Sequence, residues 1–156
     1  MNMDSTDKKI LALLAQDARK THARIAQDVG LATSSVTERI KKLTQSGVIK
    51  RWTVEIDYSA VGLPILAVVY VFASREGRQG AFEAEISELP NVLECHHVTG
   101  AWSYLLKVRA ASIADFERFI LEDLQAMPCV EKTHTEIVLS SQKATANAAA
   151  IIEQQS

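Results

Sequence analysis

Between Thr33 and Arg51 the chain sets small hydroxyls beside basic side chains, residue types that hold phosphates and reach base edges. Val36, Ile40 and Leu43 recur at i, i+4 and i+7, the spacing of a core-facing helical stripe. With that stripe buried, Ser34, Ser35, Thr37, Glu38, Lys41 and Gln45 occupy the outer arc. Hydroxyls at the N-terminal end of such a helix can approach bases or phosphates beside free backbone N–H groups. Arg39, Lys41 and Lys42 follow, then Lys50 and Arg51 just past the helix. From Arg19 to Arg51 eight basic residues face only Asp28 and Glu38, a net of +6 in a chain whose total is −2. A basic footprint on an acidic protein is the electrostatic sign of a nucleic-acid face. A helical hairpin with ordinary solvated charges is the bland alternative. The expected DNA-contacting residues are Thr33, Ser34, Ser35, Thr37, Glu38, Arg39, Lys41, Lys42, Lys50 and Arg51.

The elements that would position this face are legible on either side. Ile25, Ala26 and Val29 share one face of a preceding short helix, and Gly30 can take the positive φ that ends it and reverses the chain. That is a helix-turn-helix. Upstream, a first helix is expected from about Ser5 to Asp17, capped by Asp4 or Ser5, with Ile10, Leu13 and Leu14 buried. Beyond Gly47 the period changes: Trp52, Val54, Ile56 and Tyr58 alternate with Thr53, Glu55 and Asp57. The alternation predicts a strand, either a wing on the helices or a pairing with a second chain, and Ser59–Gly62 then serves as a hinge.

Composition limits the alternatives. Apolar residues make up 47% and charged residues 23%, ordinary for a soluble globular protein. The longest near-apolar run, Leu63–Ala73, is too short to span a bilayer, and MNMDSTDKK lacks the apolar centre of a signal peptide. The expectation is a cytoplasmic protein without a membrane partner. Charge divides the chain: residues 1–60 carry 10 basic and 7 acidic side chains, residues 61–156 carry 7 and 12.

The acidic half contains an internal repeat shifted by 38 residues: Leu89-Pro90-Asn91-Val92 through His96 corresponds to Met127-Pro128-Cys129-Val130 through His134. Each unit reads strand, helix, Pro-x-Val, strand, with strands at Leu63–Ala73, Leu93–Thr99, Ser103–Ala110 and Glu131–Leu139 and helices at Gln79–Leu89 and Ile113–Met127. Two such units make a βαββαβ, ferredoxin-like sandwich with both helices on one face of a 4-1-3-2 sheet. The fold class is therefore α+β. Pro64 to Phe72 is apolar at both parities, so this strand wants cover on both sides while its own helices supply one. The same sheet from another chain is the simplest second cover, giving a two-fold dimer. The expected domains are 1–51 for DNA binding, 52–62 as linker strand and hinge, 63–140 for sensing and assembly, and 141–156 as a tail that is either a last helix or frayed.

Other constellations carry little. Two cysteines, Cys95 and Cys129, lie near opposite sheet edges in that strand order, and their spacing with His22, His96, His97 and His134 matches no metal pattern. No Ser/His/Asp arrangement, carboxylate pair or glycine-rich phosphate loop is present, so neither an enzyme, a metal nor a cofactor is expected. The hairpin Val98–Tyr104 differs. Gly100 supplies the turn, and Trp102 at an exposed hairpin is costly unless it meets a partner chain or a ligand.

The chain is similar to the Lrp/AsnC family, the feast/famine transcriptional regulators, over nearly its whole length. The likeness rests on D-x-x-D-x-x-I-L at Asp4–Leu11, Ile25–Leu31, Glu38–Leu43, Gly47-Val48-Ile49, Gly62, Glu94–Gly100, Tyr104–Val108 and Pro128-x-Val130. The resemblance implies an N-terminal helix-turn-helix of winged type, a ligand-sensing βαββαβ domain, dimers that build tetramers or octamers, and amino acids bound between adjacent sensor domains. Two positions depart from it. Ala32 stands where Ser often opens the recognition helix, so Thr33 or Ser34 is expected to cap. The family's Gly-Asp-x-Asp hairpin reads Gly100-Ala101-Trp102-Ser103, without either carboxylate. The pocket implied, formed by Thr99, Gly100, Ala101, Trp102, Ser103 and Tyr104 with Thr133, Thr135 and Glu136 of a neighbour, should prefer an apolar or aromatic amino acid.

The reading is a sequence-specific DNA-binding regulator with an amino-acid effector. An architectural protein that wraps DNA with little sequence preference is the alternative. A DNA-independent ligand-binding or enzymatic use of the sensor half ranks last, because it leaves the basic window unexplained.

Overall fold

Asp4 opens the first helix through a reciprocal cap. Its carboxylate accepts from the Asp7 N–H at 2.8 Å, and the Asp7 carboxylate accepts from the Asp4 N–H at 3.2 Å. The structure is a computed structural model and describes residues 3–74, 80–142 and 148–154. Gln79, the expected start of the fourth helix, and residues 143–147 and 155–156 of the tail lie outside the described residues.

The elements in order are α1 (Ser5–Gln16), α2 (His22–Val29), α3 (Thr33–Gln45), β1 (Ile65–Ala73), α4 (Ala81–Ser87), β2 (Val92–His97), β3 (Tyr104–Ala110), α5 (Ile113–Arg118), β4 (Val130–Ile137) and α6 (Ala148–Gln154). They form two units, 1–55 with 142–156, and 56–141.

In the first unit, the apolar stripes of α1, α2 and α3 meet in one core: Ile10 and Leu14, Ile25 and Ala26, and Val36, Ile40 and Leu43. The turn between α2 and α3 depends on Gly30, whose φ of 69° is the left-handed conformation that a side chain disfavours. The tail, left open between helix and frayed end, is helical over Ala148–Gln154, and α6 packs along α1 with Ala149 buried.

One of the two alternatives fails here. Trp52–Tyr58 forms no wing on the helices. A strand needs a ladder partner, and none of the described residues of this chain supplies one, which leaves pairing with a second chain as the other alternative. Trp52, Val54 and Ile56 stay 51%, 76% and 47% exposed.

The second unit is a four-stranded antiparallel sheet in the order β2-β3-β1-β4. β1 alternates in burial: Ala67, Val69, Val71 and Ala73 are covered completely, while Leu66, Val68, Tyr70 and Phe72 are only half-buried. The covered parity packs with Tyr104, Leu106 and Val108 of β3 under Phe82 and Ile86 of α4 and Phe116, Phe119 and Leu124 beyond β3. The two-layer α+β architecture is thus in place, with α4 and α5 together on one side of the sheet.

The helix expected over Ile113–Met127 changes character midway. α5 ends at Arg118, and Phe119–Leu124 continues as a π-helix, with the Gln125 N–H donating to the Ile120 carbonyl at 2.8 Å. A reading by 3.6-residue period has no means of registering the wider turn. β2 and β4 are the sheet edges, which keeps Cys95 on β2 apart from Cys129 just before β4; both thiols are free. No helix among the described residues is long and apolar enough to cross a membrane.

Candidate functional site

α3 is presented by its uncapped start. Its N-cap is Ala32, in extended conformation, and no side chain accepts from the first turn. The expectation that Thr33 or Ser34 caps the helix is therefore corrected. Both sit inside the first turn, one or two residues too late for their hydroxyls to reach back. The first-turn N–H groups are left to solvent or to an anion, at the positive end of the helix dipole.

Of the residues expected at DNA, Thr33, Ser34, Ser35, Thr37, Glu38, Lys41, Lys42, Lys50 and Arg51 are all exposed. Arg39 is placed differently. Its guanidinium turns back to α1, 2.7 Å from Asp4 Oδ2 and 2.7 Å from Asp7 Oδ1, and Asp7 is only 5% exposed. The amide of Asp7 and the Arg39 guanidinium hold the Asp4 carboxyl below the usual carboxylate range. Arg39 thus ties the recognition helix to the first helix. Asp28 likewise takes up Lys20 at 3.1 Å and Arg24 at 3.6 Å. Among the described residues, the basic side chains of the window with no ion pair are Arg19, Lys41, Lys42, Lys50 and Arg51.

The sequence offered His22 only as a metal candidate, yet the structure brings it to this face. Its Nδ1 lies 2.9 Å from Thr37 Oγ1, and the Thr37 hydroxyl in turn donates to the Thr33 carbonyl at 2.9 Å. No periodicity could have found it, because the contact depends on how α2 and α3 cross.

In the second unit the hairpin turns at Gly100, whose φ is 112°. The Ser103 N–H donates to the Val71 carbonyl, and its hydroxyl accepts from the Ala73 N–H at 3.2 Å, so Ser103 is occupied in the sheet and 6% exposed. Tyr104 faces the helices, fully buried, and its hydroxyl donates to Glu83 Oε1 at 2.8 Å. Burial and that carboxylate push the Tyr104 phenol up to about 12, so it remains a donor. Register divides the rest of the expected pocket. Thr135 pairs with Val69 and Thr133 with Val71, the helix-covered parity, and Thr133 accepts from Gln125 at 2.8 Å. Glu136 pairs with Val68 on the open side. Trp102 also reaches the open side, 6.1 Å from the Tyr70 ring and 6.0 Å from the His134 ring, centre to centre. Thr99, Gly100 and Ala101 are exposed at the hairpin tip.

The open side is an apolar band with charged margins. Leu66, Val68, Tyr70 and Phe72 run along β1, with Leu105 beside Tyr70. Glu94 and Lys107 form an ion pair at 3.0 Å, and Lys107 with His96 holds the Glu94 carboxyl below its ordinary range. A cavity of about 390 Å³ lies elsewhere, on the helix side at the β2 edge, lined by Glu83, Ile86, Ser87, Val92, Leu93, Glu94 and Cys95. No hairpin residue lines it. Among the described residues no three His, Cys, Asp or Glu side chains cluster as metal ligands would.

Comparison with known proteins places both units. Residues 3–50 match the family described as winged helix-turn-helix DNA-binding, and residues 66–148 match the Lrp/AsnC ligand binding domain. The chain is 32% identical to the transcriptional regulator AzlB of Bacillus subtilis over 145 residues, 92% of each chain. It is 35% identical to the HTH-type transcriptional regulator FL11 of Pyrococcus horikoshii over 143 residues, 92% of this chain and 93% of that one. Among solved structures, a transcriptional regulator from Neisseria meningitidis in complex with L-methionine superposes with a TM-score of 0.87 at 28% identity, covering 94% of this chain and 96% of its own. The relatives are transcriptional regulators, not enzymes.

Proposed function

The chain belongs to the Lrp/AsnC family of transcriptional regulators, and from that premise we propose that it binds DNA sequence-specifically and responds to an apolar amino acid held between sensor domains. Residues 1–51 bind DNA, 52–62 link, and 63–140 sense and assemble, in the cytoplasm. The observation that carries the reading is the uncapped first turn of α3, bearing exposed Ser34 and Ser35, with exposed Thr37 just beyond it and Lys41 and Lys42 free of ion pairs behind them.

Position assigns the roles. Ser34, Ser35 and Thr37 stand near the helix start, where recognition helices meet bases, and Lys41, Lys42, Lys50 and Arg51 take phosphates. Arg39 braces α3 and does not itself touch DNA. Lys41→Ala should then weaken binding to all sequences alike and reduce the slope of log affinity against log salt by about one. Ser35→Ala should act on the choice between sites and leave that slope unchanged. A Lys41→Ala protein with altered site preference and an intact slope contradicts the assignment.

The sensor unit supports two further parts of the reading. The half-buried apolar band of β1 is covered by the same face of a second chain, and these homodimers assemble into tetramers or octamers. The effector site uses Trp102, the exposed tip Thr99–Ala101 and, from a neighbour, Glu136, which can accept from the ammonium. Ser103, Tyr104, Thr133 and Thr135 shape it from behind, since their polar atoms are spent or face the helices. Without the hairpin carboxylates the pocket is apolar and aromatic, which suits leucine, methionine or an aromatic amino acid; the methionine complex of the Neisseria relative agrees with that chemistry.

A further inference from the structure

We infer that Thr37 reads a thymine methyl in the major groove, and that His22 is the positioning residue that leaves the methyl as its reading group. The inference rests on the reading of α3 as the recognition helix.

A threonine on a recognition helix has two ways to touch a base: through its hydroxyl, or through its methyl against the C5-methyl of thymine. In a helix it divides between two χ1 wells, because its oxygen can bond a carbonyl one turn back. Here the hydroxyl is committed twice. Its single proton is donated to the Thr33 carbonyl at 2.9 Å. The oxygen must therefore accept from His22 Nδ1, also at 2.9 Å, which places the ring proton on Nδ1. The two bonds come from different helices, back along α3 and across from the first turn of α2, so together they fix one rotamer. The donor is gone and one lone pair is filled. What stays unengaged on this exposed residue is one lone pair and the methyl, the small apolar group that meets thymine and ignores cytosine. Ser34 and Ser35 carry no methyl, and Thr33 opens the helix with no helical carbonyl one turn behind it; Thr44 also donates back, to the Ile40 carbonyl at 2.9 Å, but it stands at the far end of α3, away from the helix start.

The test removes the methyl from the DNA. Genomic fragments selected by the protein are amplified once with thymidine and once with deoxyuridine triphosphate, which lacks only that methyl. The wild-type protein should bind the uracil fragments more weakly, by about fourfold for each recognised methyl removed per half-site. Thr37→Ser should shrink that penalty by about the same factor, whereas Thr37→Val, which keeps a methyl and loses the hydroxyl, should retain it. His22→Ala should shrink the penalty when Thr37 is present and have no effect on it in the Thr37→Val protein. An unchanged penalty in Thr37→Ser, or its disappearance in Thr37→Val, overturns the methyl contact. An unchanged penalty in His22→Ala overturns the positioning role. A wild-type protein that selects no fragment over bulk DNA overturns this inference through its premise, a failure distinct from selection without a uracil penalty.

Discussion

Val68→Asp is expected to yield a folded protein that no longer dimerises. Val68 lies on the open parity of β1, between Lys107 and Glu136 on the neighbouring strands. If two sheets cover one another there, the two-fold axis buries a carboxylate from each chain. Lys107 is already paired with Glu94 at 3.0 Å, so a carboxylate buried here has no free cation beside it and costs several kcal/mol, about 3–5 by analogy with broken buried pairs. Tenfold in affinity is about 1.4 kcal/mol, so the dimer dissociation constant should rise by about a hundredfold or more. The adjacent Val69→Asp makes the contrast. Val69 is fully buried under the helices, so charging it should unfold the sensor unit instead. Sedimentation of each variant beside circular dichroism separates the two outcomes, and an intact dimer for Val68→Asp would contradict the proposed interface.

Trp102→Ala is expected to abolish effector binding. In titration calorimetry with the twenty amino acids, the wild-type protein should give heat with leucine, methionine or an aromatic residue, and little with acidic or amide ones. That heat should vanish in Trp102→Ala, because the indole stacked on His134 and set against Tyr70 is the largest apolar surface at the hairpin. No heat from any amino acid with the wild-type protein would sink the sensing proposal and leave Trp102 as packing between dimers.

The sequence carried some of this architecture plainly. The repeated Pro-x-Val at Pro90 and Pro128 precedes β2 and β4, the two edge strands, and the doubly apolar run of β1 marks the strand beside β3 and β4. Both are strong signals because burial period and chain reversal are local properties. What remained hidden depends on contacts between distant segments. Trp52–Tyr58 has a strand's alternation but no ladder partner among the described residues of its own chain. Ser103 and Tyr104 have the polar groups of a pocket lining, but register places one in the ladder and the other under the helices. Arg39 counts in sequence as one more basic residue of the window, although Asp4 and Asp7, 35 and 32 positions away, claim it. His22 is the same lesson in reverse: a residue without a pattern acquires a role from the crossing of two helices. The clash between a capping rule and Ala32 was legible, but its outcome, an uncapped start to α3, was not.

The central claim is that α3 reads sequence, and the affinity ratio between selected genomic fragments and random DNA of equal length tests it most directly, measured at one stated salt concentration near physiological. A sequence-specific regulator should bind its own sites at least about a thousandfold more tightly than random DNA. A ratio near one, with affinity falling steeply as salt rises, would show a protein held by phosphates alone and would replace the regulator with an architectural wrapper of DNA.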